Sequence, residues 1–268
     1  MNGKTSSVLN PVFISSIQSL LDAWNGRCSG QYQFIYADFR RTLFLYDGQI
    51  SGCHSDDERD EPREILLKSR HPASLVLDSL KRDPTYDPFL PLPLVENGIL
   101  SFAEFMTLMR QHGERFIRTI LEGDPGAIEF SSSLPMRPVS VRIDPYPLIR
   151  SFIMEELSRE RMIADMQGQA SHWTCTGTIA PHVQKAIQGS DLDILLAFRE
   201  PRMIFGGDAQ ATGVSTDEWE RIGYFLYRLR LLNPVDGGNR AVEIKIEAGE
   251  KAEKKTFRSL FHKSRRRL

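Results

Sequence analysis

The feature that most constrains this chain is the run 42–53, in which Asp47-Gly48 separates two β-prone stretches. A two-residue hairpin loop needs positive φ at both central positions, and Asp-Gly meets that need. Just before it, residues 31–36 alternate Tyr32, Phe34 and Tyr36 with Gln31, Gln33 and Ile35, a period of two that reads as a strand. A three-stranded antiparallel meander is therefore expected over 31–53.

Helical periodicity surrounds the meander. Phe13, Ile17, Leu20, Leu21 and Trp24 share one stripe, and Asn25-Gly26 is a fitting stop. After the strands, the acidic stretch 55–61 reads as a solvated loop. Pro62 suits the first turn of a helix whose apolar face is Ile65, Leu66 and Leu67. A second short helix after Pro72 would carry Leu75, Val76 and Leu80. Residues 83–93 hold four prolines, too many for regular structure, and predict a stiff connector.

Ser101-Phe-Ala-Glu104 is a capping-box sequence, with Ser101 placed to accept from the backbone three residues on and Glu104 to reach back. The helix it opens would bury Phe102, Phe105, Met106, Met109, Phe116, Ile117, Ile120 and Leu121, and end at Gly123 and Pro125. Residues 127–132 read as a strand through Ile128 and Phe130. Asp144-Pro145 starts a helix that buries Leu148, Ile149, Phe152, Ile153 and Leu157. The polar, mixed stretch 162–176 marks an expected domain boundary. Beyond it come helical segments at 179–187 and 192–198. Ser215-Thr-Asp-Glu218 is a second capping-box sequence, opening a helix with Trp219, Ile222, Phe225, Leu226 and Leu229 inward. Residues 242–247 form a last strand candidate.

Several of these pieces, standing in order, resemble the PATAN family, a bacterial module named for the N-terminal part of a response regulator. They are Gly30 before the first strand and the hairpin Leu43-Phe44-Leu45-Tyr46-Asp47-Gly48-Gln49-Ile50. They continue with Asn97-Gly98-Ile99-Leu100-Ser101 and Glu104, and then with Leu121, Gly126 and Phe130. The resemblance spans residues 14–157. The chain departs from the family pattern in its proline-rich segment and at Gly52-Cys53-His54. The resemblance implies a compact interaction module with no catalytic residue to carry over. Residues 177–234 look like the degenerate winged-helix segment that follows this module in some relatives. The expected class is α+β. A small antiparallel sheet with packed helices would occupy 1–160, a mainly helical winged-helix-like domain 161–238, and a basic tail 239–268.

Charge is distributed unevenly. Residues 251–268 carry eight Lys/Arg against one Glu, a net +7, which leaves −8 on the first 250 residues of a chain whose total is −1. Within that tail Phe257, Leu260, Phe261 and Leu268 sit at helical spacing among Lys254, Lys255, Arg258, Lys263, Arg265, Arg266 and Arg267. Such a segment suits an anionic bilayer, where each basic residue contributes about 1 kcal/mol. It suits phosphate of a nucleic acid or a protein partner equally, and a solubilising end anchored on the acidic body is the plainer alternative.

Other chemistry finds little footing. Cys28, Cys53 and Cys175 are odd in number and scattered, which reads as reduced thiols in a cytoplasmic protein. The first ten residues lack the apolar core of a secretory signal, and nowhere do about 18 apolar residues run uninterrupted. His172 and Cys175, three apart, fall short of four zinc ligands. Cys53 and His54, adjacent on a strand, point to opposite faces and cannot pair. Gly206-Gly207-Asp208 lacks the rest of a phosphate loop.

The expectation is a non-enzymatic bacterial signalling or regulatory scaffold that docks a protein, without cofactor, metal or small-molecule substrate. It would be cytoplasmic, or peripheral to the inner face of the membrane through its tail. One alternative is a DNA-binding regulator reading through the helix 216–232 with Arg221, Arg228 and Arg230, although the acidic body opposes phosphate. An unrecognised enzyme is the other.

Overall fold

The Asp47-Gly48 turn forms with φ of +53° and +75°, the pair of positive values a type I′ loop requires. The structure is a computed structural model that describes residues 11–80, 87–133, 141–206, 209, 212–235 and 245–246, the side chains of 11–15, 78 and 245–246 excepted. Strands β1 (Gly30–Ile35), β2 (Arg40–Tyr46) and β3 (Gln49–Ser55) make the expected antiparallel meander. A fourth strand, β4 (Ala127–Ser131), pairs antiparallel with the far edge of β1. The order β3-β2-β1-β4 thus brings the hairpin turn and Phe130 into one sheet.

Between β2 and β3 the register slips by one residue. Phe44 opposes Gly52 and Leu45 opposes Ile50, so Ser51 is a bulge, and its hydroxyl donates to the Phe44 carbonyl at 3.2 Å. The bulge resets the alternation. Ile50 and Cys53, three apart, therefore both face the helices beside Leu45 and Leu43.

Helices α1 (Pro11–Asn25), α5 (Phe102–Glu122) and α6 (Pro145–Glu155) pack on that sheet and on each other. The stripe Ile17, Leu20, Leu21 and Trp24 of α1 is buried as expected, while the Phe13 side chain lies outside the described residues. In α5 both halves of the Ser101–Glu104 capping box are made. The α5 stripe runs deeper than expected at Leu108 and His112, whereas Phe102, expected inside, is 67% exposed. Phe102 belongs to the first helical turn, which projects past the layer its later turns cover.

The short helices α2 (Arg63–Lys68), α3 (Ala73–Leu80) and α4 (Pro93–Glu96) gather Leu66, Ala73, Leu77, Leu94, Leu100 and Leu108 into a small satellite core. Here two expectations are corrected: Leu67 and Leu75 are 40% and 78% exposed, and Leu77 is the residue α3 buries. The described part of the proline-rich segment does more than connect, since Phe89 is buried against His54, His112 and Phe116. The acidic stretch is corrected as well. Residues 58–60 form a single 3₁₀ turn, and Asp60 and Glu61 are buried rather than solvated.

One apolar core runs from Ile17 to Leu232 and passes through the boundary expected near residue 160. The stretch 162–176 holds helix α7 (Arg159–Asp165) and strand β5 (Trp173–Cys175), whose Met162, Trp173 and Cys175 are buried. Next come β6 (Thr178–Ile179), α8 (Pro181–Ala186), α9 (Ser190–Ala197) and α10 (Thr216–Arg228), then β7 (Leu232–Pro234) and β8 (Lys245–Ile246). β5 pairs antiparallel with β7, and β6 pairs parallel with β8, the described part of the last expected strand. Helix α10 is central: Trp219, Ile222, Tyr224, Phe225 and Leu226 are each at most 1% exposed. The architecture is α+β. No helix among the described residues is long and apolar enough to cross a membrane.

Candidate functional site

Strand β4 is fed by the loop after α5, where the Gly126 amide donates to the Ile35 carbonyl at 2.7 Å and starts the pairing with β1. Tyr32 opposes Phe130 and Phe34 opposes Ile128, which puts both β4 residues on the helix side of the sheet; Ala127, Glu129 and Ser131 lie on the other. Gly30 makes room for Phe130. A Cβ on Gly30 would come within 2.8 Å of the Phe130 ring and 2.4 Å of the Ser131 carbonyl oxygen. The ring settles over that glycine beside Tyr32, centroids 4.8 Å apart, yet stays 47% exposed.

Only one side of β4 is paired. Among the described residues the other side has no neighbouring strand, so a row of backbone N–H and C=O groups faces outward. The border is acidic. Glu129 and Glu122 are exposed and have no ion-pair partner among the described residues. Arg118, one turn before Glu122, is bound to Glu156.

A polar network lies under the opposite half of the sheet. Arg41 grips Asp60 through two hydrogen bonds of 2.7 and 3.1 Å, with both side chains under 10% exposed. Its guanidinium lies over the Tyr36 and Phe39 rings. The Asp60 carbonyl accepts from His112 Nε2 at 2.6 Å, and His112 Nδ1 lies 3.4 Å from Cys53 Sγ. Burial pushes the His112 imidazole down to about 4. The pair has the atoms of a thiol nucleophile and its base, but both side chains are buried, and a neutral imidazole and protonated thiol suit that setting.

The arginines of α10 and of the turn after it are tied to other elements, Arg221 and Arg228 inward and Arg230 at the surface. Arg221 Nη1 donates to the Ile153 and Leu157 carbonyls at 2.7 Å each, capping α6, and its Nε binds Asp217. Arg228 is buried against Asp165 and Tyr224, and Arg230 holds Asp22 through bonds of 2.8 and 2.6 Å. The expected reading face of a DNA-binding helix is thus largely core, and Arg221, Arg228 and Arg230, the last just past its end, each already hold an acceptor. Glu220, 1% exposed, is likewise held by Arg159, which keeps its carboxyl below the usual range. Asp191 is held by Arg150.

Concavities of two kinds lie among the described residues. A groove of about 320 Å³ between α2 and α5 has a floor of Leu66, Leu100 and Leu108. A cleft of about 410 Å³ lies between the hairpin turn and α8, bordered by Arg27, Asp47, His182 and Lys185. Arg27 and Asp47 neutralise each other there. Among the described residues no three His, Cys, Asp or Glu side chains gather to hold a metal.

The predicted tail residues Lys254, Lys255, Phe257, Arg258, Leu260, Phe261, Lys263, Arg265, Arg266 and Arg267 lie outside the described residues. Cys53 and His54 stand on opposite faces, and the partner of Cys53 is instead His112, 59 residues away. Nothing local marks His112 as that partner. Phe130 was visible as a strand residue, but its exposure follows from β4 being an outer strand. Compared with protein-family models, with curated proteins and with solved structures, the chain gives no match.

Proposed function

We propose that this chain is a non-enzymatic bacterial signalling protein that works by docking another protein on its PATAN-like half. The helical half would support that surface from behind. The observation that carries the reading is the edge of β4, where a backbone ladder with no neighbouring strand among the described residues lies beside a half-exposed phenylalanine. Proteins blunt or cover such edges unless they use them, and adding a strand is a common mode of peptide capture. The pairing of the buried acids Asp60, Asp191 and Glu220 with arginines supports a structural rather than chemical role for them. The basic tail 251–268 would act as an auxiliary contact, with an anionic membrane or nucleic acid as its target.

The test is photo-crosslinking in cells at native expression level, with a crosslinking residue in place of Phe130, Phe102 or Leu75, and at the exposed Glu200 as control. A partner that appears at one or more of the first three positions and not at Glu200 is expected. The same scattered adducts at all four positions would sink the reading.

A further inference from the structure

We infer that the free edge of β4 binds an extended segment of a partner protein that alternates basic with apolar residues. The inference rests on the docking function proposed above and names the chemistry of its partner. Antiparallel or parallel, an added strand would share the pleat of β4. Its residues on the helix side would then lie beside Ile128 and Phe130, and those on the other side beside Ala127, Glu129 and Ser131. The first set meets a half-buried isoleucine and an exposed aromatic ring, which suits β-branched or aromatic side chains. The second set meets the carboxylate of Glu129, exposed and without an ion-pair partner among the described residues, with Glu122 at the entrance to the strand. Opposite charges across a strand pair attract and like charges repel, so the outward residues are Lys or Arg.

Charge also argues against the simplest rival, a second copy of this chain. In the fully overlapped antiparallel register of two β4 strands, Glu129 would face Glu129. The net −8 of the first 250 residues adds attraction for a basic segment.

The experiment uses the full chain and two ten-residue probe peptides, one alternating Val with Lys and one alternating Val with Glu. Binding is read by fluorescence anisotropy, and the site by hydrogen exchange. The Lys peptide should bind, weaken with salt, and slow exchange of the amides at 127–131. Glu129→Lys, an exposed change that should leave the thermal midpoint in place, should weaken the Lys peptide about fivefold and strengthen the Glu peptide similarly. No binding, equal binding of both peptides, a preference untouched by Glu129→Lys, or protection elsewhere would each overturn the inference. So would protection of 127–131 by self-association without peptide. Crosslinks at Phe102 or Leu75 with none at Phe130 would remove this edge and leave the docking function standing.

Discussion

The Nδ1 atom of His112 lies 3.4 Å from the sulfur of Cys53, while Nε2 of the same ring lies 2.6 Å from the carbonyl oxygen of Asp60. A carbonyl can only accept, so Nε2 carries the hydrogen and Nδ1 receives the thiol proton. The ring is therefore neutral and fully used. Its folded value, about 4, is below the 6.5 of a free histidine. Protonation thus favours the unfolded chain. The contribution is whole above pH 6.5 and is lost as pH falls from 6.5 toward 4, up to about 3 kcal/mol. Urea midpoints measured from pH 7 to 4 should fall more steeply for the native chain than for His112→Gln, which keeps a donor for Asp60 but cannot titrate.

Thiol reactivity should separate the three cysteines. Cys28 is half-buried, whereas Cys53 and Cys175 are buried, and burial raises the Cys175 thiol further. A chromogenic disulfide reagent should label one thiol quickly and two only as fast as the chain opens. Cys28→Ser should abolish the fast phase alone. A fast phase that survives this change would mean that Cys53 is accessible.

The Arg41–Asp60 pair should matter more broken than absent. Arg41→Met leaves the Asp60 carboxylate buried without its partner, a loss of roughly 3–5 kcal/mol. The double change Arg41→Met with Asp60→Leu should recover most of that. Thermal unfolding of the two variants checks the order.

Two glycines of one hairpin should respond unequally to alanine. Gly48 has φ of +75°, and a Cβ there would sit 2.9 Å from the Trp24 carbonyl oxygen. Gly48→Ala should cost about 2 kcal/mol or more. Gly52 lies in ordinary strand backbone, where a Cβ would meet only the Phe44 ring at 3.5 Å, so Gly52→Ala should change the denaturation midpoint little.

What was legible in the sequence was what neighbours decide. Asp47-Gly48 dictates its turn, Ser101 and Glu104 cap each other, and the α1 stripe lies along one helix. What was not legible depends on distant partners. Asp60 and Glu61 look like loop acids until Arg41, on strand β2, takes Asp60 inside. The Ser51 bulge has no local marker, so the shared face of Ile50 and Cys53 was hidden. Periodicity placed Phe102 on the α5 stripe but could not say where the satellite layer stops. Arg221, Arg228 and Arg230 read as a basic helix face because their acceptors, Asp165, Asp22 and the end of α6, belong to other elements. The α2 Leu67 and the α3 Leu75 were assigned inward from hydrophobicity where helix phase decided otherwise.

The hydrogen bonds from Gln18 to the Arg228 carbonyl and from Arg230 to Asp22 join residues 210 and 208 apart in the chain. During translation at roughly 5–20 residues per second, α1 would emerge some ten to forty seconds before the helix it packs against. For that interval the part of α1 that meets α10 is uncovered, and nascent chains must be shielded from one another. Folding should therefore wait for the segment that carries α10, and be sensitive to how fast its codons are read.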